Sequence, residues 1–356
     1  MEKSKRGKLL LIIGVVVGIL VGFGSYFVYD NYFSKNDVEN KEENKNNDED
    51  KKDNNNNPKL MSTEDKKNLI NELVSTNVLE KAMSLDELKN SHLGTNIDAK
   101  IDNNGYFSIT YDNKTEKYDK LGPIKDVYSF YNNSAIPNML FVTKNNKLYY
   151  GYPMEYQVEE VENKDGKTVI SSYVDNNTGD KYILFDDYSL INLTSGSESN
   201  KYILGENILD KDFILDGLGI YVMCSDYCSP ADVTISFDGK LKIKDNDNKY
   251  VELKYNNKSV DFKYSYYKYN NEYTDANIYF VDTDNNVYMI KNYTKDNRST
   301  KLEKLSYKFD SLNVTKTEDN TNKYTIKYDY STTLDIDSYA FVDITKYSKI
   351  FELYNK

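Results

Sequence analysis

The 356 residues include no tryptophan, one histidine, two cysteines and five prolines. Each scarcity closes something. With His92 as the single imidazole and Cys224 and Cys228 as the only thiols, a structural zinc site lacks its ligands. Two cysteines cannot staple a multi-disulfide scaffold, and five prolines cannot build a Pro-rich stalk. The strings H-E-x-x-H, G-x-S-x-G and G-x-x-x-x-G-K-[ST] are absent, so zinc peptidases, α/β-hydrolases and P-loop enzymes lose their usual fingerprints. Positive charge is also in deficit: 46 Lys plus Arg against 57 Asp plus Glu give −11, which argues against a nucleic-acid partner. Hydrophobic residues are 39% with the 35 tyrosines counted and the 16 glycines left out; with glycine counted and tyrosine left out the share is about 34%, below the roughly 45–50% of typical globular domains on that definition. Tyrosine, with 35 copies, must therefore help build the core.

One long apolar run exists. Leu9–Tyr29 is 21 residues without a charge, enough at 1.5 Å per residue to span a hydrocarbon layer of about 30 Å. Lys3, Lys5, Arg6 and Lys8 precede it and Asp30, Asp37 and Glu39 follow, so the positive-inside rule puts residues 1–8 in the cytoplasm and the rest outside. The alternative, a cleaved signal peptide, fits less well, because the run exceeds an h-region and ends in Tyr26, Phe27 and Val28. Gly14, Gly18 and Gly22 share one face of this helix at the spacing that lets two membrane helices approach, which predicts a homodimer; chance spacing of a common membrane residue is the alternative. Residues 30–60 are Asn, Asp, Glu and Lys with little that can be buried, and read as a disordered tether.

From 61 to 94 the pattern turns helical. Ser62 with Asp65 and Ser84 with Glu87 are capping boxes, and Leu69, Ile70, Leu73 and Val74 follow helical spacing. This predicts a short helical neck. Across 95–356 short apolar or Tyr-rich stretches alternate with Asn, Asp and Gly turns, the signature of strands and hairpins. Five hairpin units are expected, centred on Phe141, Leu184, Ile235, Phe280 and Phe341, the last running on to Ile350, Phe351 and Leu353. The spacing of the first four is near the roughly 40–50 residue period of propeller blades. The expected fold is all-β, with propeller-like repeats of short antiparallel strands and a pair of β-sandwiches as the alternative. The unit from Ile124 through Val127 to Leu148, Tyr149, Tyr150 and Gly151 resembles a blade of the regulator-of-chromosome-condensation type over about 30 residues, although it lacks that family's regular glycines. The resemblance implies a propeller-like fold and no particular partner.

Chemistry is sparse. Ser265 and Lys268 match S-x-x-K, but in a Tyr-rich strand rather than at a helix start. Cys224 and Cys228, spaced C-x3-C in an exported domain, are a candidate local disulfide. Asp282, Asp284 and Asn286 open like a calcium loop, yet Val287 and Tyr293 stand where an EF-hand needs Gly and Glu. A looser calcium site there, or at Asp245 and Asp247, competes with ordinary turn chemistry, and no other cofactor is expected. Tyr149, Tyr150 and Tyr152, with Tyr264, Tyr266, Tyr267 and Tyr269, are candidate ligand-binding residues, since tyrosine offers a flat apolar face and a hydroxyl for stacking on sugars or anchoring an interface. The competing reading is that tyrosine favours strands and these residues are core or rim.

Together these features predict a non-enzymatic, single-pass membrane protein of a Gram-positive-type envelope, with an extracytoplasmic binding or scaffold domain. A wall-glycan-binding module using exposed tyrosines and a carboxylate-based glycan hydrolase are the alternatives. Exposed tyrosines on one face would favour the first, and two facing carboxylates, one with a raised pKa, the second.

Overall fold

Asparagine turns this chain. In the computed structural model Asn77, Asn146, Asn248 and Asn285 all hold the left-handed backbone region, which Asn tolerates better than other non-glycine residues. Residues 61–356 are described, except 91–96, 131–136, 155–157, 197–200, 211–212, 219–231, 271–274 and 295–296. The predicted membrane helix with Gly14, Gly18 and Gly22, the tether 30–60, His92, and the Cys224–Cys228 pair lie outside the described residues. Among the described residues no helix is long and apolar enough to cross a membrane.

The neck is only partly helical. Helix α1 (Thr63–Ser75) starts where Ser62 Oγ accepts the Asp65 N–H at 3.1 Å, and it buries Leu69, Ile70 and Leu73. Two short strands follow, β1 (Leu79–Lys81) and β2 (Met83–Ser84), then α2 (Leu85–Asn90). At α2 the capping box closes reciprocally: Glu87 Oε2 accepts the Ser84 N–H at 2.7 Å and Ser84 Oγ accepts the Glu87 N–H at 3.3 Å. The Ser84 N–H first, and the Ser84 hydroxyl second, hold the Glu87 carboxyl below its usual pKa. The strands were not expected because two or three residues carry no period.

The rest is mostly antiparallel β-sheet. A three-stranded meander comes first: β3 (Ile97–Ile101), β4 (Phe107–Tyr111) and β5 (Lys114–Lys117). Next come β6 (Ile124–Phe130), β7 (Asn138–Thr143), β8 (Leu148–Gly151) and β9 (Glu159–Val161), with β2 added beside β6. Strands β10 (Val169–Asp175), β11 (Lys181–Phe185), β12 (Leu190–Ser195) and β13 (Tyr202–Asn207) repeat the pattern, with β1 beside β10. A third repeat is β14 (Ile214–Leu218), β15 (Val233–Ser236), β16 (Leu241–Lys244) and β17 (Tyr250–Glu252), followed by the small hairpin β18 (Lys254–Tyr255) and β19 (Lys258–Ser259). Each repeat is a sequential up-and-down sheet, the connectivity of a propeller blade.

Central strands in these repeats are buried on both faces, which explains why they read as continuous apolar runs. In β7, Met139 and Phe141 pack with Phe107 and Ile109 of the three-stranded sheet, while Leu140 and Val142 pack with Ile183 and Phe185 of β11. On the other face of β11, Tyr182 and Leu184 join a core containing Leu215, Val233 and Ile235. Successive sheets thus stack face to face in chain order. The hairpins expected at 140–150, 182–193, 233–243 and 278–290 form at those places.

The last sheet is larger, in the order β25-β24-β23-β22-β21-β20-β26. It comprises β20 (Phe262–Tyr269), β21 (Ala276–Asp282), β22 (Asn286–Tyr293), β23 (Glu303–Lys316), β24 (Asn322–Tyr328), β25 (Thr333–Asp337) and β26 (Phe341–Asp343). The expected fifth hairpin does not form. After β26 the chain makes a 3-10 turn, Ile344–Tyr347, and helix α3 (Ser348–Tyr354), which buries Ile350 and Leu353 at helical spacing. Tyr354 of α3 packs on Phe237, with ring centroids 4.9 Å apart.

Candidate ligand-binding site

Alternation along β20 sends Tyr264 and Tyr266 to one face and Tyr267 and Tyr269 to the other. Register then places Tyr279 of β21 and Phe341 of β26 opposite Tyr266. The Tyr266 and Tyr279 rings stack at 5.1 Å with 9° between their planes. The sheet curls so strongly that its far strands return to this face. The Tyr266 and Tyr328 hydroxyls meet at 2.7 Å, and Tyr324 stacks on Phe341 at 4.1 Å. Tyr307 of β23 sits 4.8 Å from Tyr328 and 4.7 Å from Tyr330, just past the end of β24.

Exposure grades along this cluster. Tyr266 and Tyr328 are buried, Tyr279 and Tyr307 are half-buried, and Tyr330 is 48% exposed. Burial and neighbouring phenols push the Tyr266 and Tyr307 hydroxyls well above their ordinary pKa; burial does the same for Tyr328. All therefore remain neutral, able to donate and accept hydrogen bonds. A ring held in place by rings behind it, with one face open, is suited to stacking against an apolar ligand face.

The sequence-predicted tyrosines divide. Tyr266 lies at the base of this cluster, and Tyr264 packs beside it against Phe309 and Phe341. Tyr267 is buried on the opposite face, in contact with Tyr269 at 5.2 Å. Tyr150 is buried between Phe130 and Tyr202, Tyr149 is half-buried on β8, and Tyr152 is half-buried just past the end of that strand. Buried Tyr150, Tyr266 and Tyr267 present no face to a ligand in this structure. The more exposed members, above all Tyr330, escape a reading by spacing because they lie on or just past strands far in sequence from Tyr266.

The acidic candidates serve turns. Asp282 is 6% exposed and accepts hydrogen bonds from Asn286 N and Nδ2, both at 2.7 Å, and from the Tyr288 hydroxyl at 3.0 Å. Asp284 is exposed, and Asn286 meets Asp282 as a donor. Asp245 Oδ1 accepts the Asp247 and Lys249 N–H groups, both at 2.9 Å. Among the described residues no group of three or more His, Cys, Asp or Glu side chains is placed to hold a metal.

One carboxylate pair stands out. Asp175, at the end of β10, is 1% exposed; its Oδ1 accepts the Asn177 and Thr178 N–H groups at 2.7 and 3.1 Å, and Oδ2 has no partner among the described residues. Burial, with the Asp180 and Asp216 charges nearby, raises its pKa to about 6. Asp216 of β14 accepts the Tyr347 hydroxyl and pairs with Lys346 at 2.9 Å. A carboxyl sealed to this degree has no access for a sugar ring, so the raised pKa marks a structural site.

Comparison with known proteins adds a likeness in shape alone. No family model matches the chain. No curated protein matches it either. Among solved structures, BBS1N in complex with ARL6DN shares 9% identity over 75% of this chain and 85% of its own, with a TM-score of 0.21. PorZ, a bacterial surface component of the type-IX secretion system of Porphyromonas gingivalis, shares 12% identity over 73% of this chain and 34% of its own, with a TM-score of 0.24. Virginiamycin B lyase from Staphylococcus aureus shares 12% identity over 75% and 89%, with a TM-score of 0.19. All three are β-propeller-like proteins, and they do not confirm a resemblance to the regulator-of-chromosome-condensation type in particular.

Proposed function

We propose that the chain is a binding protein of the bacterial cell envelope, anchored by Leu9–Tyr29 with a propeller-like β body outside the cell, and that its ligand is wall glycan stacked on Tyr330 and Tyr307. The observation that carries this reading is the graded tyrosine cluster. An exposed ring backed by Tyr307 and Tyr328 loses little freedom on binding, which favours affinity. The apolar face of a pyranose matches such a ring, and the phenol hydroxyls match its rim. The acidic net charge is compatible with a neutral glycan and unfavourable for a polyanion.

Co-sedimentation of the full chain, solubilised in detergent, with purified cell wall tests the reading. Tyr330→Ala is expected to weaken wall binding about 10-fold or more, the scale of an aromatic anchor at about 1.4 kcal/mol per decade. Wild-type protein that stays in the supernatant, or a Tyr330→Ala variant with unchanged affinity, overturns it.

A further inference from the structure

Away from the Tyr330 cluster, the β16–β17 turn and residues 297–301 ahead of β23 frame an open cavity of 460 Å³. That volume lies in the range of roughly 300–1,000 Å³ common for small-molecule sites. Its floor is Arg298, 8% exposed and held from three sides. The Arg298 N–H donates to Asn246 Oδ1 at 2.8 Å, Nη1 donates to Asn248 Oδ1, and Nη2 lies 3.7 Å from Asp232 Oδ1. Behind it, Lys244 is buried near the Tyr250 ring, and the Tyr293 hydroxyl donates to the Lys244 carbonyl at 3.2 Å. The floor is therefore rigid. Its Nε–H finds no acceptor among the described residues.

The walls are mainly polar. Asp245 and Asp247 supply acceptors, Lys301 supplies a donor, and Asn297 and Thr300 supply both. Two acids against Arg298 and Lys301 leave the lining neutral, so neither an anion nor a cation is favoured. Hydroxyl groups, each donor and acceptor at one atom, complement such a lining, and vicinal hydroxyls fit the two-pronged geometry of carboxylate and amide groups.

We propose that this cavity is a saccharide subsite taking a neutral, hydroxyl-bearing sugar unit of the envelope glycan; the proposal rests on the glycan-binding reading above. The test is wall co-sedimentation of the full chain with two cavity variants, Asn297→Ala combined with Lys301→Ala, and Thr300→Ala alone, beside Tyr330→Ala. All substitutions avoid Arg298 and its anchors, and each variant's melting temperature is checked against wild type. The Asn297→Ala/Lys301→Ala protein is expected to bind wall about 10-fold more weakly with an unchanged melting temperature, and Thr300→Ala a few-fold more weakly. If wild type binds wall and Tyr330→Ala weakens it while both cavity variants bind like wild type, the subsite is overturned and the glycan reading stands. If wild type does not bind wall at all, both fall.

Discussion

Asp175 offers the sharpest test of the electrostatics. A carboxyl with a pKa of about 6 when folded and 3.8 in the free chain binds its proton more tightly in the native state. Stability therefore falls as pH rises between about 4 and 6, and the loss is complete above the folded pKa. The difference corresponds to about 3 kcal/mol against the native state at neutral pH. Asp175→Asn removes the charge, keeps an oxygen to accept the Asn177 and Thr178 N–H groups, and turns an amide toward a region crowded by the Asp180 and Asp216 carboxylates. The variant should be more stable than wild type by about 1–3 kcal/mol at about pH 7.5, with the gain vanishing near pH 4. Urea unfolding of both proteins at the two pH values reads this directly. A variant less stable than wild type at the higher pH, or a gain of equal size at both, would show that the buried carboxylate is not the strained group.

Two further perturbations probe packing. Gly239 holds φ at +79°, and a methyl group added there would lie 3.2 Å from the Phe351 ring of α3, so Gly239→Ala should destabilise by about 1–2 kcal/mol in thermal melts. Tyr328→Phe leaves the buried Tyr266 hydroxyl without its 2.7 Å partner and should cost about 1–2 kcal/mol, whereas adding Tyr266→Phe should recover part of that loss. A double-mutant cycle in urea with no coupling between the two positions would contradict the hydroxyl pair.

What could be read from the sequence was local. Leu140–Thr143 and Tyr182–Phe185, nearly continuous apolar runs, and Val233–Phe237, which alternates Val, Ile and Phe with Thr and Ser, announce strands because such patterns ahead of Asn or Asp turns have few other uses, and the two capping boxes carry their partners within three residues. Helix α3 escaped because seven residues scarcely complete two turns, and its Ile350 and Leu353 also suit a strand. Strand β23, 14 residues long and exposed over most of its length, alternates in two phases, Leu305, Tyr307 and Phe309 and then Leu312 and Val314, broken by the register shift between Phe309 and Ser311, so no single period runs through it. The tyrosine cluster was half legible. Tyr266 belongs to an evident Tyr-rich strand, but Tyr279, Tyr307, Tyr328 and Tyr330 gather only through the register of three more strands and the curl of the sheet, which no spacing along the chain encodes.

The placement of β1 and β2 has a consequence for how the chain must be made. These strands leave the ribosome first, yet Met83 waits for Ser129 and Leu79 for Asp175 before either can complete an edge. At the other end, the Tyr347 hydroxyl reaches back 131 positions to Asp216. Contacts this distant in sequence slow folding, because loop closure must precede any stabilisation. At synthesis rates of about 5–20 residues per second, the early strands spend seconds without their mates, a window in which bare strand edges invite mispairing with other chains. Their brevity, three and two residues, limits that hazard by giving a stray chain almost nothing to bind.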